Sequence, residues 1–132
     1  MIKIHDLKLG DVVVANYEGK GWEGEVVQLD HDDKQICVDT GVQQFWFHQA
    51  DLNAVPINDR ILRDYNFESH ENGDGSVKYM KGPFRIQIVK AGDFDNMEIW
   101  YREDIRHLHG SIPFHELQNH YLQMTKVPLT KD

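Results

Sequence analysis

The chain has 132 residues, 40% of them hydrophobic, and a formal net charge of −8. That length suits one domain or two very small ones and excludes a large multidomain enzyme. The charge repels phosphate backbones and anionic lipid surfaces, which counts against nucleic-acid or membrane binding, and it is concentrated in residues 1–56, where four lysines face ten carboxylates.

From Leu7 to Pro56 short β-branched or aromatic runs alternate with turn residues. The runs are Asp11–Ala15, Gly24–Leu29, Gln35–Val38 and Gln43–Phe47, and the separators are Glu18-Gly19-Lys20-Gly21, Asp30-His31-Asp32-Asp33 and Thr40-Gly41. Strand-length runs with Gly and Asp between them predict a small curled antiparallel sheet. Cys37 lies in one of these runs, between Ile36 and Val38, and reads as a buried structural thiol. In the last run Phe45 and Phe47 face one way and Trp46 the other. With the two phenylalanines in the core, Trp46 is left near the surface, where Tyr17 and Trp22 are expected to join it in an aromatic binding patch.

The period changes after Pro56. Asn58 is placed to cap a short helix with Ile61, Leu62 and Tyr65 on one face and Ile57 stapled to Leu62. Turn signals at residues 71–75, 81–83 and 91–93 then separate Val77–Met80, Phe84–Val89 and Met97–Tyr101, a predicted three-stranded antiparallel meander. The last element runs from Pro113 to Met124, with Phe114, Leu117, Tyr121 and Met124 forming one apolar stripe. The predicted class is therefore mainly β or α+β. A barrel spans residues 1–56, and an α+β unit of short helix, meander and C-terminal helix spans 57–132.

Two resemblances follow from these residues. The opening Leu7-x-x-Gly10-Asp11-Val12-Val13, the Gly-rich separator, Gly24-x-Val26-Val27-x-Leu29 and the aromatic strand leading to Leu52 resemble SH3-like and Tudor-like barrels. In the second half, Val55-Pro56-Ile57 through Tyr65-Asn66-Phe67 resembles a family segment of the type Pro-Ile-x-Leu-Thr-Glu-x-Leu-Leu-x-x-Gly-Phe. Phe114-His115-Glu116-Leu117-Gln118-Asn119-His120-Tyr121-Leu122-Gln123-Met124-Thr125 resembles Tyr-Val-His-Glu-Leu-Gln-Asn-Leu-Tyr-Phe-Ala-Leu-Thr of the same family, small uncharacterised proteins of Bacteroides-type bacteria and their phages and prophages. The chain departs from that pattern at Asn66, where the family has Gly, and at His120, where it has Leu. This resemblance implies a phage or prophage association and carries over no activity.

Catalytic and metal motifs fail on spacing. His115-Glu116 with His120 looks like a zinc-protease helix, but histidines five apart diverge by about 140° at 3.6 residues per turn, whereas the motif needs them four apart. Asp30, Asp32 and Asp33 lack the Gly and distal Glu of a calcium loop. Glu103-Asp104 and Glu23/Glu25 read as surface carboxylates. No phosphate-cradling Gly loop or Gly-x-Ser-x-Gly elbow is present. The expectation is a non-enzymatic cytoplasmic protein without metal or cofactor, contacting a protein partner and forming a homo-oligomer.

A second reading places a small nucleotide-like ligand on Arg85 and Arg102, with an aromatic such as Trp100 for base stacking, in a deep positive pocket. Direct nucleic-acid contact through the barrel is a third and weaker one.

Overall fold

The computed structural model describes residues 2–131, which form two antiparallel five-stranded sheets and two helices. The chain divides into two compact units, Met1–Val55 and Pro56–Asp132.

The N-terminal unit contains β1 (Val12–Tyr17), β2 (Lys20–Asp30), β3 (Gln35–Asp39), β4 (Gln44–His48) and β5 (Leu52–Ala54), in the spatial order β4-β3-β2-β1-β5. β2 begins earlier than the turn chemistry suggested. Only Glu18 and Gly19 form the connection, both with positive φ (51° and 77°), and Tyr17 already pairs with Lys20. A two-residue connection with both residues left-handed matches strand twist, so the ladder runs to its end and takes Trp22 out of a loop and into a strand.

Inward residues of every strand meet in one core: Val13, Ala15, Val26, Ile36, Val38, Phe47 and Leu52, closed by Ile2, Ile4 and Leu7. Gly24 sits on this face because a Cβ there would lie 2.5 Å from the Asp39 carbonyl oxygen and 2.7 Å from a Val38 methyl. A bulge at Val27 lets the long β2 bend around that core. Asp11 is fully buried, and its carboxylate accepts from the Lys8 backbone N–H at 3.0 Å and from the Lys8 ammonium, so its charge is held structurally.

The C-terminal unit begins with α1 (Asp59–Asp64). Asn58 caps it as its sequence implied, its side-chain oxygen accepting from the Ile61 N–H at 2.9 Å. A five-stranded sheet replaces the expected three-stranded meander: β6 (Glu68–Glu71), β7 (Val77–Lys81), β8 (Phe84–Ile88), β9 (Asn96–Tyr101) and β10 (Asp104–His109) lie in simple sequential order. The two outer strands were missed because edges are polar. Glu68-Ser69-His70-Glu71 and Asp104-Ile105-Arg106-His107-Leu108-His109 carry little of the β-branched and aromatic content that marks a central strand.

α2 (Phe114–Thr125) begins after Pro113 and ends on left-handed Lys126. Its stripe packs against the sheet. Tyr121 meets Phe84 ring to ring at 4.8 Å and Phe114 meets Tyr65 at 4.9 Å, while Phe67 closes on Phe84 at 6.2 Å. The tail returns to the same unit, where Leu129 is buried and the Lys81 ammonium donates to the carbonyls of Tyr65 (2.8 Å) and Thr130 (2.7 Å). Among the described residues no helix is long and apolar enough to cross a membrane.

Candidate functional site

The core of the N-terminal unit stays open at one end. In an antiparallel ladder, directly opposed residues share a face. Trp22 pairs with buried Ala15, Phe45 pairs with buried Val38, and Tyr17 lies two residues beyond Ala15, so all three project on the core face. They lie past the point where the core is filled. Tyr17 is 53% exposed and Trp22 and Phe45 are each 42% exposed.

With Phe47 as floor and Glu18, Lys20, Thr40, Val42 and Gln43 at the rim, these aromatics line a cleft of about 240 Å³. Tyr17 and Phe45 stack at 6.0 Å with 23° between planes, and Phe45 meets Phe47 edge-on at 6.4 Å. Three half-exposed rings form an apolar recess of side-chain size, below the range of about 300–1,000 Å³ usual for small-molecule pockets. Their faces also offer cation–π contact.

Trp46 does not belong to this cleft. Strand alternation sends it to the other face, where it is 47% exposed and borders a shallow depression with Leu9, Val27 and Leu29. The expected patch of Tyr17, Trp22 and Trp46 is thus divided, with Phe45 taking the place assigned to Trp46. The signal for this was in the sequence. A two-residue Glu18-Gly19 turn sets Ala15 opposite Trp22 and fixes its face, whereas a four-residue separator left it undetermined.

In the C-terminal unit Arg85 and Trp100 are direct cross-strand partners on the face opposite the helix-covered one, in a row completed by Glu68, Met80 and Ile105. Trp100 is committed through its indole N–H to the Glu98 carboxylate, whose other oxygen lies 3.2 Å from His107 Nδ1. Arg102 is elsewhere: it occupies the turn between β9 and β10 with φ 57°, its guanidinium 5.2 Å from the Tyr101 ring centre. Arg85 and Arg102 therefore do not converge. A recess of about 170 Å³ along the adjacent row of Gln87, Glu98 and His107 is shallow and carries a carboxylate.

The remaining motif residues have structural surroundings. Cys37 is buried, and its thiol is pushed up by burial and by the Asp39 charge, away from nucleophilic character. His120 Nδ1 lies 2.8 Å from an Arg106 guanidinium nitrogen, and burial together with that cation holds its pKa below the ordinary histidine value. His120 is thus a neutral acceptor for an arginine. Among the described residues no group of three or more His, Cys, Asp or Glu side chains is disposed to hold a metal ion.

Comparison with protein-family models, with curated proteins and with solved structures finds no match to this chain.

Proposed function

We propose that this protein is a non-enzymatic binding module whose N-terminal unit grips a protein partner through the aromatic cleft of Tyr17, Trp22 and Phe45. The observation that carries the reading is three half-exposed aromatics projecting from the core face around one recess. Residues that extend a core and are then left open lose burial energy unless something covers them, at about 25 cal/mol per Å² of apolar surface. The acidic surroundings, residues 1–56 carrying a net charge of −6, favour a partner with a basic surface.

The unit itself reads as an SH3-like barrel. In support, β1 lies between β5 and β2, and a 3-10 turn at Gln49–Asp51 joins β4 to β5. Asn66 supports the resemblance to the phage and prophage family, because its φ of 68° is the backbone state for which glycine, the family's residue there, is best suited. A cytoplasmic, phage-associated role follows from that reading.

The nucleotide-ligand reading rests on the Arg85–Trp100 pairing alone, and Arg102 does not join it. Affinity capture by the full chain, compared with its Trp22→Ala, Tyr17→Ala and Arg85→Ala variants, tests the choice. Loss of one defined protein partner with the first two and retention with the third is expected. Retention by Trp22→Ala would overturn the proposal, as would a small-molecule adduct in native mass spectra that disappears only with Arg85→Ala.

A further inference from the structure

The two sheets present four edges, and they are not equally protected. β6 carries Glu68 and Glu71, β10 carries Asp104 and Arg106, and β5 is only three residues long. Charge and shortness are the usual defences against edge-to-edge pairing. β4 has neither: Gln44-Phe45-Trp46-Phe47-His48 has no Asp, Glu, Lys or Arg and no proline, and it pairs with β3 along its whole length.

The hydrogen bonds bracketing this ladder define which backbone groups face outward. Thr40 N–H donates to the Gln43 carbonyl at one end, and Gln49 N–H donates to the Lys34 carbonyl at the other. Antiparallel ladders alternate between bonded and non-bonded pairs. Counting inward from both ends makes Phe45 and Phe47 the residues bonded to β3, and leaves the N–H and C=O of Gln44 and Trp46 and the N–H of His48 directed away from it, the His48 carbonyl serving the 3-10 turn that follows.

We infer that β4 is the docking edge for a second copy of this chain, paired antiparallel about Trp46. In that register Trp46 faces Trp46 and Gln44 faces His48 of the second copy, so the Trp46 groups meet each other and the His48 N–H meets the Gln44 carbonyl. Phe45 faces Phe47 of the second copy on the core side. Each cross-strand pair is then aromatic with aromatic or amide with imidazole, and no like charges are opposed. The clefts of the two copies open side by side along this seam, giving a bivalent surface. The inference stands on the strand edge and goes beyond the cleft reading.

Magnitudes set the expected strength. An aromatic side chain buries about 150–250 Å² when fully covered, and Phe45 and Trp46 are already half covered. Two copies fall short of the roughly 1,200 Å² of a stable interface, so association is weak and concentration-dependent. The −6 charge of each N-terminal segment opposes it, and added salt strengthens it by screening.

Sedimentation equilibrium of the full chain at increasing concentration and salt, with amide exchange read by NMR, tests this. A monomer–dimer equilibrium is expected, with concentration-dependent protection of the Trp46 and His48 amides. Trp46→Lys places two cations at the two-fold axis and should weaken association by about tenfold or more. His48→Pro removes an outward N–H while suiting the φ of −74° already present; it also removes the imidazole that accepts from the Ala50 N–H at 3.1 Å, so its fold is checked by circular dichroism, and it should weaken association in the same direction. Trp22→Ala should leave association unchanged while abolishing partner capture, which separates this inference from the cleft reading. A chain that stays monomeric at every concentration would overturn it. So would protection centred on β10, or a natively folded Trp46→Lys chain that dimerises like the parent.

Discussion

The two units handle their aromatic residues in opposite ways. In the C-terminal unit Tyr65, Phe67, Phe84, Phe114 and Tyr121 are all at most 8% exposed, locked ring to ring beneath α2. In the N-terminal unit Tyr17, Trp22, Phe45 and Trp46 are all at least 42% exposed, and among its described residues that unit has no α-helix of its own. Both sheets alternate inward and outward side chains. One difference is the helix: a twelve-residue amphipathic helix packs its apolar stripe on one sheet, while the core of the other is built from its own strands and the segment before β1, and its rim aromatics stay open. Aromatic content therefore does not distinguish the two units; the exposure of the rings does.

The sharpest way to break this contrast is to truncate one ring from each unit. Phe84 is fully buried between Phe67 and Tyr121, and Phe84→Ala should cost about 3–5 kcal/mol, enough to unfold a small unit. Trp22→Ala removes a ring that is already 42% exposed, and at about 25 cal/mol per Å² of the area it still covers should cost about 2 kcal/mol, less than Phe84→Ala. Urea denaturation followed by far-ultraviolet circular dichroism measures both. If Trp22→Ala proves as destabilising as Phe84→Ala, the cleft is core and its aromatics serve folding.

The same contrast explains what was legible in the sequence. Helices were legible at both ends of the second unit because Asn58 and Pro113 punctuate them and the stripe from Phe114 to Met124 has helical period. Central strands were legible because β-branched and aromatic residues crowd them. β6 and β10 were not, since an edge strand is selected for polarity and looks like a loop. The faces of Phe45, Phe47 and Trp46 followed from alternation, but the partners of Trp46 did not. Side is a local property, whereas neighbourhood depends on register, and register here turned on a hairpin only two residues long.

A smaller effect probes how the C-terminal unit holds its polar groups. Tyr79 is 3% exposed and its hydroxyl donates to Asp59 Oδ1 at 2.8 Å; burial, together with that carboxylate, pushes its pKa up to about 12. A phenol whose folded pKa lies above its ordinary value of 10.0 contributes fully below that value and loses its contribution as pH rises toward 12. Asp59 behaves with the opposite sign. The hydrogen bonds from Arg63 and Tyr79 lower its pKa, so its contribution is present above its ordinary 3.8 and is lost as pH falls below it. Tyr79→Phe should cost about 1 kcal/mol at neutral pH and flatten the alkaline limb of stability between pH 10 and about 12. Urea midpoints recorded across pH check both signs. An alkaline limb unchanged in Tyr79→Phe would assign the loss to other groups.

The smallest expected effect is at Asn66, which ends the turn after α1 with φ 68° and donates its side-chain amide to the Lys131 carbonyl. The left-handed backbone disfavours any residue with a Cβ, and Asn less than most. Asn66→Gly relieves that conformation but loosens the unfolded chain and releases the tail bond, terms of about 0.5–1 kcal/mol each with opposing signs. The net change should lie within about 0.5 kcal/mol of zero, read from the urea midpoint. Asn66→Ala keeps the backbone cost while losing the tail bond, and should be clearly destabilising by about 1 kcal/mol or more. If glycine and alanine proved equally damaging, the tail bond rather than the left-handed turn would be what position 66 supplies, and the backbone argument for glycine there would fail.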